Sequence, residues 1–534
     1  MIKSSIVQGP HGLAAARDGA HGNPYLDQAW AVLPRLLALF DTNKAAPTFG
    51  LGDRFHWGWK LIDFGNGTFQ GAAHGLARLL TMDALPDYLS HAALLARIDA
   101  MFQGTQHLRR PNGSMEEAFP YESSYCVTAL VAYDLLSAIE LLDGLLSQRS
   151  RDAYLAIVQP MIGFLHHADE HHAFISNHLA TAVATLVKWH MLTGESGEQR
   201  AQEFLERILR EQSPEGWFRE YEGADPGYQT LCLYYLADVD RLRPDLHLLE
   251  PLRKSVQFLW HFAHPDGSFG GLYGSRNTRF YYPAGLEWLA RQVPEARALA
   301  DFMAPAIRGY RTVTLDTMDA PNLIPMFNAY CWAAALAPQT RDGVPTLPCR
   351  RDEPSRTHFP LAGLIVDNGP VHYSIVSTHK GGVCYHFVKE GDARIDAGVL
   401  ARSPKGTLYS TQAFAADNVV EFGPDSVTIK APMAKVRLPR PGPILFIILR
   451  LLNVTLMRSL RLSNWIKRLL VRFLITGKKS SRTLHRRTVR FGAEIVIEDE
   501  WETNPDNLTR EPTPGAFSVM HMASQGYWQR QDTQ

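Results

Sequence analysis

The chain has 534 residues, enough for roughly two to four domains. Hydrophobic residues make up 46% and charged residues 20%, the balance of a globular protein, which excludes a disordered, collagen-like or disulfide-scaffold chain. Basic and acidic residues number 54 each, so the net charge is zero, and a nucleic-acid partner is not expected.

The N-terminus, MIKSSIVQGPHGLAAARDGAHG, has no apolar run long enough for a signal peptide, so a cytoplasmic location is expected. The five cysteines form no CxxC pair and read as scattered reduced thiols. Apolar residues recur at helical spacing over 26–42, 67–82, 122–147, 177–194, 228–240 and 247–262. The stretch SSYCVTALVAYDLLSAIELLDGLL is apolar nearly all round and predicts a helix buried on most sides.

Polar-aromatic loops precede the most apolar of these helices. They centre on Asn66, Tyr121, Asn177, Tyr228 and Asn277, at successive intervals of 55, 56, 51 and 49 residues. About 50 residues suffice for two helices and two loops, so each period predicts one antiparallel helical hairpin. Loops one period apart then lie at the same end of their helices. If the hairpins close into a ring, the five loops share one rim.

Beyond about residue 345 the texture changes to short β-type runs: LAGLIVDN, VHYSIVST, VCYHFVKE, VTIKA and EIVIEDEW. The expected organisation is an N-terminal (α/α) toroid over 1–345, followed by an antiparallel β-sandwich over 346–534. Between Asp425 and Glu494 there is no Asp or Glu, and 16 of the 54 basic residues fall there. The rest of the chain therefore carries 38 basic against 54 acidic residues. Within this segment, 443–476 reads as a basic amphipathic helical insertion. It is too interrupted by Arg and Lys to span a bilayer. It either packs on the sandwich or docks on an anionic membrane or a membrane-bound glycan assembly complex.

Taken alone, Asn177-His178 reads as a helix cap followed by a core histidine, and DPGYQ as a Pro-Gly turn before a buried Tyr228. Together, with the helical first part and the later β-domain, the two loops resemble the heparinase II/III-like polysaccharide lyases. That family combines a ring of helical hairpins with an antiparallel β-sandwich. It places an Asn-His pair on one inner helix, a Tyr in a DGSYHQ-like loop about one hairpin later, and a His in a loop of the β-domain. Asn177 and His178 match the pair. Tyr228 and Gln229 match the Tyr loop, with Asp225 displaced by the proline. His379 in STHKGGV is the nearest match to the β-domain histidine, without the family's His-rich wording.

The resemblance implies β-elimination of a uronate-containing glycan. Asn177 would stabilise charge developing on the uronate carboxylate. Tyr228 would act as general base and acid, and His178 or His379 would serve the other uronate epimer. Arg276 and Arg279 would pair with carboxylates and supply a positive field, beside Asn277. Trp57, Trp59, Asn66, Gln70, Tyr121 and Glu122 occupy the first two rim loops and would position sugar by stacking and hydrogen bonding. The alternatives are a uronyl 5-epimerase, a glycoside hydrolase using Glu117 and Glu122 as its carboxylate pair, or a non-catalytic glycan-binding protein. The run His166, His167, Asp169, Glu170, His171, His172 carries metal-capable side chains without a fixed ligand spacing, and neither metal nor cofactor is expected.

Overall fold

In a computed structural model of the chain, six helices form an inner ring: α3 (Ala72–Thr81), α5 (Tyr125–Leu142), α7 (Ser176–Thr193), α9 (Pro226–Leu242), α11 (Ala284–Leu289) and α13 (Ala320–Leu336). The structure describes residues 22–170, 174–337, 344–438, 440, 442–471, 480–512, 515–520 and 525–528. Each inner helix packs on the next, and α13 returns to α3 to close the ring. Asn328 of α13 latches that closure, accepting from Gly75 N (3.0 Å) and donating to Gly71 O (2.9 Å). An outer layer comprises α1 (Pro24–Leu37), α4 (His91–Leu108), α6 (Gln148–His167), α8 (Glu198–Arg210), α10 (Leu249–Leu259) and α12 (Pro294–Arg308). The short α2 (Arg54–Trp57) lies in the loop before α3.

The two layers follow from patterning. Outer helix α8 buries only Ala201, Phe204, Leu205 and Ile208, one stripe at helical spacing. Inner helix α5 has 83% of its residues buried, because both neighbours in the ring and the outer layer cover it. It is long and apolar enough to cross a membrane, yet it is a core helix here. The five rim loops do precede five inner helices, α3, α5, α7, α9 and α11.

The β part has two antiparallel sheets. The first is a meander of β1 (Ser355–Phe359), β2 (Leu364–Asn368), β3 (His372–Ser377), β4 (Val383–Val388) and β5 (Ala393–Asp396). The second contains β6 (Leu400–Arg402), β7 (Leu408–Ser410), β8 (Val419–Phe422), β9 (Ser426–Lys435), β10 (Ser480–Arg490), β11 (Val496–Thr503) and β12 (Thr509–Arg510). Ile365, Val376 and Cys384 of the first sheet pack against Val427, Ile429, Ala431 and Val489 of the second. The first sheet's other face meets the helices: Tyr373 Oη donates to His261 O (2.7 Å), and Phe387 stacks on His264 at 4.6 Å. A sheet covered on both faces leaves almost no position to solvent, so in β2 to β4 every residue but Val388 is buried, the polar ones included.

The acid-free segment resolves into two different structures. Its last part is β10, whose cations face acids across the ladder on β11: Arg490 meets Glu498 (2.6 Å), and Arg486 pairs with Glu500. Arg487 points inward and is buried, with its guanidinium on Asp499 (2.8 Å) and Asp396 (2.6 Å). The expected excess of positive charge is therefore neutralised over β10. The insertion itself forms α14 (Pro443–Val454) and α15 (Leu460–Val471), joined by a short turn between β9 and β10.

Burial disfavours the charged Asp499 carboxylate, but the Arg487 hydrogen bonds and charge outweigh burial and hold its pKa below the usual carboxylate range. A depressed carboxylate stabilises the fold above its unfolded pKa of about 4, and that stability is lost as pH falls through the folded value. Arg487→Met is expected to cost about 3–5 kcal/mol at neutral pH, because it strands two carboxylates. The deficit should shrink below about pH 4 as they protonate. Denaturant melts of both proteins at the two pH values check this, and an equal deficit at both would contradict the pairing.

Candidate active site

Three rim loops are laced together by backbone and by one carboxylate. Ser176 N donates to Arg219 O (3.1 Å) and Tyr221 N to Phe174 O (3.1 Å), so the chain before α7 pairs with the chain before α9. Asp225 caps α9 by accepting from Tyr228 N (3.1 Å), and its second oxygen accepts from Arg276 N (2.9 Å). The Thr278 hydroxyl also donates to Asp225. One buried aspartate thus fixes Tyr228 relative to the Arg276 loop.

Glu220 stands at the centre. It is fully buried and chelates Asn177, accepting from the backbone N (3.0 Å) and from Nδ2 (2.8 Å). Asn177 is therefore not the helix cap that its position suggested. Ile175 occupies the cap position with no side-chain hydrogen bond, and Glu220 reaches across from the next loop to satisfy the orphan N–H. Burial pushes the Glu220 carboxyl up from its ordinary pKa, and the Arg276 charge and the two Asn177 bonds pull it partly back.

Arg276 lies 3.6 Å from Glu220 and is itself buried. Its guanidinium carbon sits 3.9 Å from the Tyr228 ring centroid and 4.5 Å from that of Tyr221. Burial works against its charge, but Tyr228, Tyr221, Glu220 and Asp225 outweigh burial and hold its pKa above the usual value. Its Nε and Nη1 are buried and have no hydrogen-bond partner among the described residues. Nη1 is the atom that faces Glu220 at 3.6 Å, too far for a hydrogen bond, and Nε has no oxygen partner among the described residues.

The structure therefore brings Asn177, Tyr228 and Arg276 into one cluster. His178 adjoins it, half-buried, with Nδ1 at 2.7 Å from Glu170. His379 comes from the β3–β4 loop. Its ring packs on Phe414 at 5.2 Å and against Gly363, and its Nδ1 has no partner among the described residues. Burial lowers its pKa. No hydrogen bond links it to Asn177 or Tyr228 among the described residues. Its neighbour Lys380 binds Gly274 O (3.2 Å) and the Asn277 side chain, so this β-loop docks on the Arg276 loop.

Several expected sugar contacts turn out to be internal. Gln70 is fully buried, and its amide serves Gly52 N, Gly50 O and Met101 O. Glu122 is buried and accepts from the backbone of Glu117 and Ala118, so it ties its own loop instead of facing Glu117 across a cleft. Asn277 is buried between Lys380 and Ser518. Asn66 caps the 3-10 turn before α3, and Trp57 donates its indole N–H to Leu39 O (2.7 Å). Arg279 is half-buried, with its backbone held by Tyr527 Oη (3.0 Å). Tyr121 is half-exposed between Arg110 and Arg458, and Trp59 stands 92% exposed.

In the metal-capable run, His171 and His172 lie outside the described residues. Asp169 is held by Arg207 (2.9 Å), and His166 faces Ser196 O (2.9 Å). No group of three or more His, Cys, Asp or Glu is placed to hold a metal among the described residues.

No protein-family model matches the chain, and no curated protein matches it. Among solved structures it is similar to the chondroitin AC lyase of Streptomyces coelicolor A3, at 13% identity and a TM-score of 0.48, over 92% of this chain and 67% of that one. It is similar to heparinase III at 10% identity and 0.45, over 90% and 77% of the two chains. A Paenibacillus xanthan lyase is similar at 10% identity and 0.46, over 80% of this chain. The chain spans 46% of that lyase's length. The cellobiose 2-epimerase of Bacillus thermoamylovorans is similar over 58% of this chain, at 7% identity and 0.43.

Proposed function

We propose that the chain is a glycan-active enzyme that cleaves a uronate-containing polysaccharide by β-elimination. The observation that carries this reading is the buried Arg276 guanidinium, whose Nε and Nη1 make no hydrogen bond among the described residues, held against Tyr228 beside the Glu220–Asn177 pair. A uronate carboxylate fits those donors. An amide nitrogen carries two N–H groups, and Glu220 takes one from Asn177, which leaves the other for the same carboxylate. As the proton beside that carboxylate is removed, charge moves onto its oxygens, where these donors act as an oxyanion hole does. Tyr228 takes the proton and returns one to the departing 4-linked oxygen. The Arg276 cation stabilises the negative charge that the Tyr228 oxygen carries before the first transfer and again after the second.

A hydrolase requires two carboxylates flanking the bond, one of them a proton donor. Here Glu220 is committed to Asn177, and Glu122 to its own loop. Epimerisation uses the same proton abstraction without loss of the leaving sugar, and the architecture does not choose between the two. Incubation with a panel of acidic polysaccharides separates them. The expected result is ultraviolet absorbance from a new C4=C5 double bond, with one new reducing end per event. Solvent deuterium uptake without absorbance would make it an epimerase. New reducing ends without absorbance would make it a hydrolase and sink the elimination reading.

A further inference from the structure

The insertion exposes apolar surface that a folded soluble protein would ordinarily cover. Ile444, Leu445, Phe446, Ile447 and Ile448 are all at least half exposed, and so is Leu451. Only Asn453 of α14 is buried. Five successive residues at about 100° each go right round a helix. Only the side of α14 that carries Arg450 and Asn453 meets the protein, so the exposed apolar surface is broader than the single stripe that a partner's groove takes and suits a lipid interface. The turn and α15 add exposed Leu456, Leu462, Trp465 and Leu469, interspersed with exposed Arg458, Arg461 and Arg468. At 12 residues α14 is about 18 Å long, too short to cross a hydrocarbon core of about 30 Å.

A second element shows the same chemistry. In the loop after α2, Trp59 is 92% exposed and Leu61 is 98% exposed, with Phe55 also exposed. Both Trp59 (φ 56°) and Leu61 (φ 62°) adopt the left-handed region, which is costly for bulky side chains. Arg54 and Lys60 flank them. The two elements are tied together, because Arg450 of α14 binds Asp63 (2.8 Å) just after this loop. Arg458 lies over the Tyr121 ring (5.0 Å), so the hairpin is also fastened to the second rim loop.

We propose that the α14–α15 hairpin and the 54–61 loop form one membrane-docking face for an anionic bilayer, beside the rim that carries the candidate site. Apolar residues enter the interface, Trp59 and Trp465 sit at headgroup depth, and Arg458, Arg461 and Arg468 meet anionic headgroups. Because β10 neutralises its own cations, apolar burial dominates and the salt dependence is shallow. The glycan acted on is then one carried at a membrane surface. That last step rests on the glycan reading above, whereas the binding itself does not.

Flotation of the full chain with vesicles of phosphatidylcholine, with and without phosphatidylglycerol, tests the face directly. Two variants probe its halves: Ile444→Glu with Ile447→Glu, and Trp59→Glu with Leu61→Glu. All four side chains are exposed, so unchanged melting of the variants is expected and is checked first. The expected result is flotation with the phosphatidylglycerol vesicles, retained in large part at high salt, and weakened at least about 10-fold by each pair. Absence of flotation at low salt overturns the proposal. So does flotation that neither pair weakens, or a wild-type dimer that the hairpin variant turns into monomer, which would make a second copy the occupant. Activity on soluble substrate in the Ile444→Glu, Ile447→Glu protein, which alters no expected sugar contact, reports separately on the glycan reading.

Discussion

Asn177→Ala is expected to lower turnover by about 10²–10³-fold, the cost of removing one oxyanion-hole donor. It should also destabilise the protein by about 1–3 kcal/mol, because a buried oxygen of Glu220 loses its amide donor. The two losses have different origins, and Glu220→Gln tests the same hydrogen bond from its other partner. Glutamine keeps the shape but brings its own N–H groups, so the Asn177 amide must rotate to offer its oxygen. Turnover should fall, and because glutamine also removes the buried counter-charge 3.6 Å from Arg276, some stability should be lost with it. Glu220 acts as a positioning residue, so its loss should appear in turnover more than in the Michaelis constant. The double variant should cost far less than the product of the single effects, since both changes disable one unit. Melting and turnover are measured on the same samples. An Asn177→Ala protein that is destabilised yet fully active would reduce Asn177 to a structural residue.

The helical part was the most legible in sequence, for a physical reason. Inner helices such as α5 are buried on several sides and carry an apolar signal all round. The loops before them hold polar and aromatic residues at one helical end, so a period of about 50 residues emerges. The last inner helix, α13, escaped that period because the chain before it, Leu315–Asp319, carries none of the polar-aromatic wording. Strand β10 was missed because its sequence, SSRTLHRRTVR, is strongly charged. Its cations are tolerated in a sheet only because Glu498, Asp499 and Glu500 face them on β11, a pairing across strands that no local pattern displays.

The site was legible only in part. Asn177, Tyr228 and Arg276 lie in periodic loops and were found as such. Glu220, which joins them, was not. It sits in WFREYEG, where a buried acid and a solvated one look alike, and its role exists only because the chain before α9 pairs with the chain before α7. Gln70, Glu122 and Asn277 erred the other way. Their residue types suit sugar, but each is engaged in internal hydrogen bonds: Glu122 with its own loop, Gln70 with Met101 of α4, and Asn277 with Lys380 and Ser518. Residue type and rim position say that a polar side chain is near the rim. Only the hydrogen-bond ledger says whether it has a donor left to offer.

Tyr228→Phe isolates the oxygen on which the proposed chemistry depends. The ring lies edge-on to Phe280 at 5.2 Å and beneath the Arg276 guanidinium at 3.9 Å, and phenylalanine preserves both contacts. The cap from Asp225 to the backbone N of residue 228 is also untouched. Folding should therefore be intact and the melting temperature close to that of the wild type. Turnover should fall by at least about 10²-fold, because the proposed chemistry has one group both remove and return the proton. Substrate binding should change little, since the donors to the carboxylate belong to Arg276 and Asn177. Measuring turnover and the Michaelis constant on a cleaved polysaccharide, alongside a thermal melt, gives all three quantities. A well-folded variant with near wild-type turnover would remove Tyr228 from the chemistry and leave its ring as a packing partner for Arg276.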